Sequence, residues 1–253
     1  MRVLVTNDDG IHSPGLLALV HAVSAVAETF VVAPEQERSA TGHAITLHKP
    51  LRVVRTSIPD VAAEAWATNG TPADCVALGI LDLLDRRPDV VISGINMGAN
   101  LGRDITYSGT VSGAMEGAIF GIPSIAISLA GWKDTHYDVA ASFAVRLATL
   151  IVERGLPRDT LLNVNVPNVP REALAGVAIT RQGRRRYLSR LEKRVDPRGR
   201  TYYWLTGEPG APGEEEGMDS AAVARGFISV TPIQMEMTDE ALIRDLAGWN
   251  LGV

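Results

Sequence analysis

The chain has 253 residues, 46% of them apolar and 21% charged, with a formal net charge of −5. That is the make-up of a soluble globular protein of one large or two small domains, and its net acidity gives no pull toward nucleic acid or an anionic membrane. Cys75 is the only cysteine, which excludes an intrachain disulfide or a thiolate metal cluster and suits a reducing compartment.

The apolar run after Arg2 is too short for a signal peptide and runs straight into Asp8. The longest apolar-rich stretch, Gly117 to Trp132, is interrupted by Gly121, Pro123, Ser124 and Ser128 and falls short of a membrane span. A cytoplasmic protein is expected.

In chain order, Arg2–Thr6 reads as a buried, β-branched strand. Ser13-Pro14 is an N-cap followed by proline at the first helical position, and opens the helix "GLLALVHAVSAVA". "TFVVAP" is a second buried strand, and "EQERSATGHA" a polar loop. "ITLHKPLRVVRT" predicts extended structure around Pro50, and "NGTPADCVALGILDLLDRRP" a turn and a helix beginning at Thr71 or Pro72. "DVVISGIN" is a third buried strand, followed by the glycine-rich loop "MGANLGRDITYSGT". Then come the helix "VSGAMEGAIFG", the strand "SIAISLA", the amphipathic helix "YDVAASFAVRLATLIVERG" and the strand "TLLNVNVPNVP".

Apolar strands alternating with helices to about residue 170 predict an α/β sandwich of three layers, a mostly parallel sheet covered by helices on both faces. Residues 1–170 are read as an α/β core with the active site, and 171–253 as a C-terminal segment for oligomerisation. In the latter, "VAITRQGRRRYLSRLEKRVDPRGRTYYWLTG" is basic and partly alternating, with a turn at Asp196-Pro197-Arg198-Gly199, and predicts a long hairpin arm. "EPGAPGEEEG" is a loop, "DSAAVARGFISVTPI" a short helix and a last strand, and "TDEALIRDL" a closing helix capped by Thr238.

Ligands of open α/β sheets sit beyond the carboxyl ends of the strands. Three loops converge there: Asn7-Asp8-Asp9-Gly10, the stretch from Glu35 to Gly42 with Ser39, and Gly94-Ile95-Asn96 with the loop running to Thr110. Asp at a strand end commonly makes a turn or a cap, but Ser13 already supplies the cap. Adjacent carboxylates repel, and more so beside a low-dielectric core. A divalent cation held by oxygen ligands would compensate them. His43 and His48 lie in no zinc-like spacing and read as structural. No dinucleotide G-x-G-x-x-G, P-loop or G-x-S-x-G motif occurs.

In "YSGTVSGAMEGAIFG", Ser108 or Thr110 can cap a helix beginning near Thr110, and its exposed amides and hydroxyls form an anion site. Gly109, Gly113, Gly117 and Gly121 recur every four residues as a stripe without side chains, which suits a helix wedged closely against the sheet. Carboxylates for a cation facing an anion site point to phosphate-ester chemistry.

"VTNDDGIHSPGL", "APEQERSATGHAITL", "NGTPADCVALG", "SGINMGANLGRDITYSGTVSGAMEGAIFGIPSIAIS", "LLNVNVP" and "GFISVTPI", in order along the chain, resemble the SurE survival-protein family of metal-dependent nucleotidases. The resemblance implies hydrolysis of nucleoside 5′-monophosphates, with 3′-monophosphates as a further substrate class. It also implies a Rossmann-like core, a homodimer or homotetramer with exchanged C-terminal segments, and one divalent cation per subunit, Mg²⁺ or Mn²⁺. Carried over by position, the metal ligands are Asp8, Asp9, Ser39 and Asn96, and the phosphate cradle is Ser108, Gly109 and Thr110 beside Asn96.

The catalytic set is then Asp8, Asp9 and Asn96, with Asp9 a candidate general base. Two other activities suit the same residues: a sugar-nucleotide transferase using Asp-Asp and Mn²⁺, and a nucleotide sensor that binds without turnover. The basic arm, with Tyr202-Tyr203-Trp204 beside its arginines, favours self-association over nucleic-acid binding.

Overall fold

The computed structural model describes residues 1–184, 187–209, 215–249 and 251–252. Arg185 and Arg186 of the basic run, and residues 210–214 of the expected loop, lie outside the described residues.

The strands are β1 (Arg2–Thr6), β2 (Glu28–Pro34), β3 (Val53–Thr56), β4 (Glu64–Thr68), β5 (Val90–Met97), β6 (Ser124–Ala130), β7 (Thr160–Pro167), β8 (Gly176–Ile179), β9 (Tyr187–Val195), β10 (Thr201–Pro209) and β11 (Phe227–Gln234). The helices are α1 (Pro14–Ser24), α2 (Pro72–Leu78), α3 (Gly109–Ile119), α4 (Tyr137–Arg154), α5 (Asp219–Ala224) and α6 (Glu240–Ala247). Nine strands form one sheet in the order β3-β4-β2-β1-β5-β6-β7-β11-β8, parallel from β4 to β7. β3 and β11 run antiparallel to β4 and β7. The expected α/β sandwich is what the chain forms.

Two apolar layers explain why these segments are strands. Val3 and Val5 of β1 face one way, into a core built with Leu16 and Leu19 of α1 and Ala144 and Ile151 of α4. Leu4 faces the other way, onto Cys75 and Val76 of α2. Both faces are covered, so β1 is buried at every position and reads as an unbroken apolar run. Neighbouring α3 sets Val111 and Ala114 against Ala126 and Leu161.

The glycine stripe has a steric cause at three of its four positions. A Cβ on Gly109 would stand 2.7 Å from Asp8 Cβ, one on Gly113 2.8 Å from Ser93 Oγ, and one on Gly117 2.3 Å from Ser124 Oγ. At Gly121 the backbone is instead left-handed, with φ +71° and open space around it. α3 therefore rides on the sheet at backbone distance, which fixes its N-terminus beside β1.

Several local expectations change. β4 was not foreseen: "EAWAT" is short and alanine-rich, and it becomes a strand by pairing Ala65 with Val31 and Ala67 with Ala33. α2 ends at Leu78 and continues as a π-helical turn, Gly79–Leu83, where the Leu4 side chain fills the space a Cβ on Gly79 would need. Part of the glycine-rich loop winds into a 3₁₀ turn, Gly102–Thr106.

The C-terminal expectations change as well. The segment after Pro170 is split: β8 joins the main sheet beside β11, and the hairpin proper is β9 with β10. Asp196 closes its turn by accepting from the Arg198 and Arg200 amides at 2.8 and 2.9 Å. The cap of α6 is Asp239, which accepts from the amides of Ala241 and Leu242, and not Thr238.

Candidate active site

β1 sits between β2 and β5, the point at which the chain reverses its direction of travel across the sheet. The loops beyond that point open a crevice. At its floor the "NDDG" turn is tied to α1: Asn7 Nδ2 donates to the Gly10 carbonyl at 3.0 Å and to Ser13 Oγ at 2.8 Å. Gly10 takes φ +98°, a conformation other residues rarely adopt.

Asp8 is 4% exposed. The Thr110 hydroxyl donates to its Oδ1, the Thr110 backbone N–H bonds the same carboxylate, and the Arg38 N–H donates to its main-chain carbonyl at 2.7 Å. Asp9, half-buried, accepts the Met97 N–H on Oδ2 at 3.2 Å.

Burial pushes the Asp8 carboxyl above the ordinary carboxylate range, against the opposing hydrogen bonds from Thr110. Burial first, and the Asp8 charge second, push Asp9 up to about 6. Glu37 adds negative charge to both. Among the described residues no ion pair reaches either carboxylate. Nor, among the described residues, do three or more His, Cys, Asp or Glu side chains come together in a group that could hold a metal ion. Two desolvated, uncompensated carboxylates beside neutral oxygens fit a hard divalent cation of the Mg²⁺ or Mn²⁺ type, and offer nothing soft.

Asn96 comes from the end of β5, where the pairing with β6 shifts register between Ser93 and Asn96. Backbone packs on backbone here. A Cβ on Gly94 would lie 2.3 Å from the Ile127 carbonyl oxygen, and one on Gly15 2.0 Å from that of Ile95. The displaced strand end turns Asn96 toward the crevice, and its Nδ2 donates to the Gly98 carbonyl at 2.8 Å, which fixes the amide plane.

Asp8, Asp9, Ser39, Asn96 and Ser108 all line one pocket of about 1680 Å³. Ser39 lies on an exposed loop and donates to Glu37 Oε1 at 2.6 Å. Ser108 caps α3 through Val111 N–H at 3.1 Å. Gly109 and Thr110 are buried behind Asp8, and both of Thr110's donors go to that carboxylate. Part of the anion-binding capacity of the helix start is thus spent on Asp8, and of the residues expected in the cradle Ser108 is the one that lines the pocket.

Other lining residues escaped the sequence reading. Glu37 could have been noticed as an acid two residues before Ser39. Asn100 is held by three side chains: Asn165 accepts from its N–H at 2.8 Å, Asn163 and Asn165 donate to its carbonyl, and Ser128 Oγ accepts from its Nδ2. That gives the asparagines of "LLNVNVP" a purpose. Tyr137, whose phenol is raised by burial and then by the Asp9 charge, starts α4 on the same wall. Leu205 and Thr206 bring the hairpin arm to the pocket. His43 pairs with Glu116 at 2.7 Å outside it, a structural role as expected.

Fold and site together define a class: an open, Rossmann-like α/β protein with an acidic, oxygen-donor crevice at its topological switch point, facing a helix N-terminus. Residues 3–189 match the family described as Survival protein SurE, and the chain belongs to that family. It is 54% identical over 249 residues to the 5′-nucleotidase SurE of Heliobacterium modesticaldum, covering 98% of this chain and 92% of that one. It is 52% identical over 252 residues to the protein of the same name from Geobacter sulfurreducens, covering 99% and 94%. A crystal structure of the SurE protein from Aquifex aeolicus superposes with a TM-score of 0.84 at 43% identity, covering 97% and 98%.

Proposed function

We propose that this protein is a divalent-metal-dependent phosphomonoesterase that hydrolyses nucleoside 5′-monophosphates, and 3′-monophosphates as a further class, to nucleoside and phosphate. The observation that carries this reading is the Asp8–Asp9 pair: two crowded carboxylates with no cationic partner among the described residues, set in a pocket wall beside the Ser108-capped start of α3. The relatives named 5′-nucleotidase SurE support the substrate class.

Asp8, Asp9, Ser39 and Asn96 would hold one Mg²⁺ or Mn²⁺ per subunit. When bound, such a cation supplies positive charge for the phosphate oxygens and for the nucleophile. Thr110 keeps Asp8 in place with two donors. Asn96, with its amide plane fixed by Gly98, and Ser108, at the positive end of α3, orient the phosphate, while Gly109 and Thr110, also expected in the cradle, act by packing against Asp8 and holding it. Asp9 is the candidate general base; burial and the Asp8 charge push its carboxyl up to about 6 without metal, and a bound cation would draw it back down, so it serves as a base only to the extent that its charge is not committed to the metal.

The division of labour we favour assigns this chemistry to residues 1–170 and self-association, as a homodimer or homotetramer, to 171–253. Leu191, Tyr203, Trp204 and Leu205 support that assignment, since they leave apolar surface exposed on the arm. No helix among the described residues is long and apolar enough to cross a membrane; the cytoplasmic location is our reading of the lone cysteine, Cys75.

The test is phosphate release from AMP by chelator-treated protein, with Mg²⁺ or Mn²⁺ restored in turn. Activity should vanish with chelator and return with metal, and Asp8→Asn should lower metal affinity and turnover together. Full activity in chelator would overturn the mechanism. Transfer of a sugar from a sugar nucleotide, without phosphate release from AMP, would replace it.

A further inference from the structure

The proposed phosphate site takes up only part of the pocket, whose volume of about 1680 Å³ is far more than a phosphate fills. On the wall formed by the end of β6 stands Trp132, 65% exposed.

Its position is nevertheless built. A Cβ on Gly98 would lie 2.6 Å from Cη2 and Cζ2 of the indole, so the ring edge rests on the Gly98 backbone. Gly98 and Gly131 both donate to the Leu129 carbonyl at 2.9 Å, joining the ends of β5 and β6. Asn168 braces the loop that follows: its Nδ2 donates to the Lys133 carbonyl at 2.7 Å, and its Oδ1 accepts the His136 N–H at 2.9 Å. A Cβ on Gly131 would meet Asn168 Cβ at 2.5 Å. Gly98 in turn holds the Asn96 amide. The loop that carries the indole is therefore tied to the strand end that holds Asn96, and the exposed ring lines the same pocket as that strand end.

We infer that Trp132 is the shelf on which the nucleobase of the substrate stacks. The inference rests on the phosphomonoesterase reading and names the part of the substrate that this reading leaves unbound. An immobilised aromatic face is sequence-tolerant toward bases, because every base has a π-face. The shelf therefore selects nucleotides over other phosphomonoesters while discriminating weakly among them. Loop bracing by Asn168 and Gly98 means that little side-chain freedom is lost when the base arrives.

Steady-state kinetics of wild type, Trp132→Ala and Trp132→Phe with AMP and with glycerol 2-phosphate test it, alongside titration of the metal-free proteins with adenosine, read by tryptophan fluorescence. In Trp132→Ala the KM for AMP should rise about tenfold, the order of effect expected for one stacked base, with kcat nearly unchanged. Glycerol 2-phosphate kinetics should not move, and Trp132→Phe should recover most of the AMP affinity. Adenosine should quench wild-type fluorescence saturably, and Trp132→Phe should lose that quench. An unchanged KM for AMP, or an equal rise for both substrates, overturns the shelf. If wild type releases phosphate from neither compound, the nucleotidase reading fails. The adenosine titration then decides the shelf alone: a quench lost in Trp132→Phe supports it, and no quench, or one unaffected by the substitution, overturns it.

Discussion

Replacing Gly109 by alanine directs a methyl group into Asp8. The added Cβ would lie 2.7 Å from Asp8 Cβ, 2.8 Å from Oδ2 and 3.1 Å from Cγ. Carbon atoms prefer separations of about 3.5–4.0 Å, so the overlap at the closest contact is about 1 Å. Neither side yields easily. The Asp8 carbonyl is held by Arg38 N–H at 2.7 Å and its carboxylate by Thr110. The helix cannot withdraw without lifting Gly113 and Gly117 off Ser93 and Ser124.

The carboxylate is therefore the part that shifts, and a displacement of about 1 Å in a reacting constellation costs on the order of 10²-fold. Stability should change by a few kcal/mol at most. Alanine gains up to about 1 kcal/mol of helix propensity over glycine, against about 1–3 kcal/mol for overpacking. At roughly 2–4 °C per kcal/mol for a chain of this size, the melting temperature should fall by no more than about 12 °C. The assay pairs circular-dichroism melts with AMP hydrolysis in saturating metal. A cooperative melt with kcat/KM down about 100-fold is expected. Activity within about threefold of wild type would refute the claim that Gly109 is glycine for the sake of Asp8.

Two further outcomes follow from the same packing and charge. Without metal, Asp9 is charged above about 6 in the folded protein but above its ordinary value of 3.8 when unfolded. The folded state thus carries a penalty that is complete above about 6 and vanishes below 3.8. The full shift corresponds to at most about 3 kcal/mol, and partial solvent exposure reduces this to roughly 1–2 kcal/mol. Asp9→Asn, which keeps an acceptor for Met97 N–H, should raise the urea midpoint in chelator at pH 7.5 and lose that advantage near pH 4; a variant no more stable than wild type at pH 7.5 contradicts the charge argument. Gly117→Ala should destabilise by about 1–3 kcal/mol through contact with Ser124 Oγ and Val91. Adding Ser124→Ala should restore part of that loss, and strictly additive urea midpoints in the double variant would show that the two positions do not meet.

The sequence by itself determined the layered core and the acidic turn. β1, β5 and β6 are covered on both faces, so they are buried along almost their whole length and mostly apolar, which carries their assignment. Ser13-Pro14 and Ser108 announce their helices because capping is a local interaction. Asp8 and Asp9 stood out because adjacent carboxylates at a strand end call for compensation.

Only the tertiary structure decided what lies across chain distance. "EAWAT" is a strand because β2 offers it a parallel edge. Thr110 serves Asp8 from 102 residues away. Trp132 becomes a fixed surface through Gly98 and Asn168, and Leu205 reaches the pocket from the arm. Periodicity and capping act over a few residues and are written into the chain. The direction of a hydroxyl, or the face of an indole, is set by which distant backbones pack together, and that is decided only when the sheet closes.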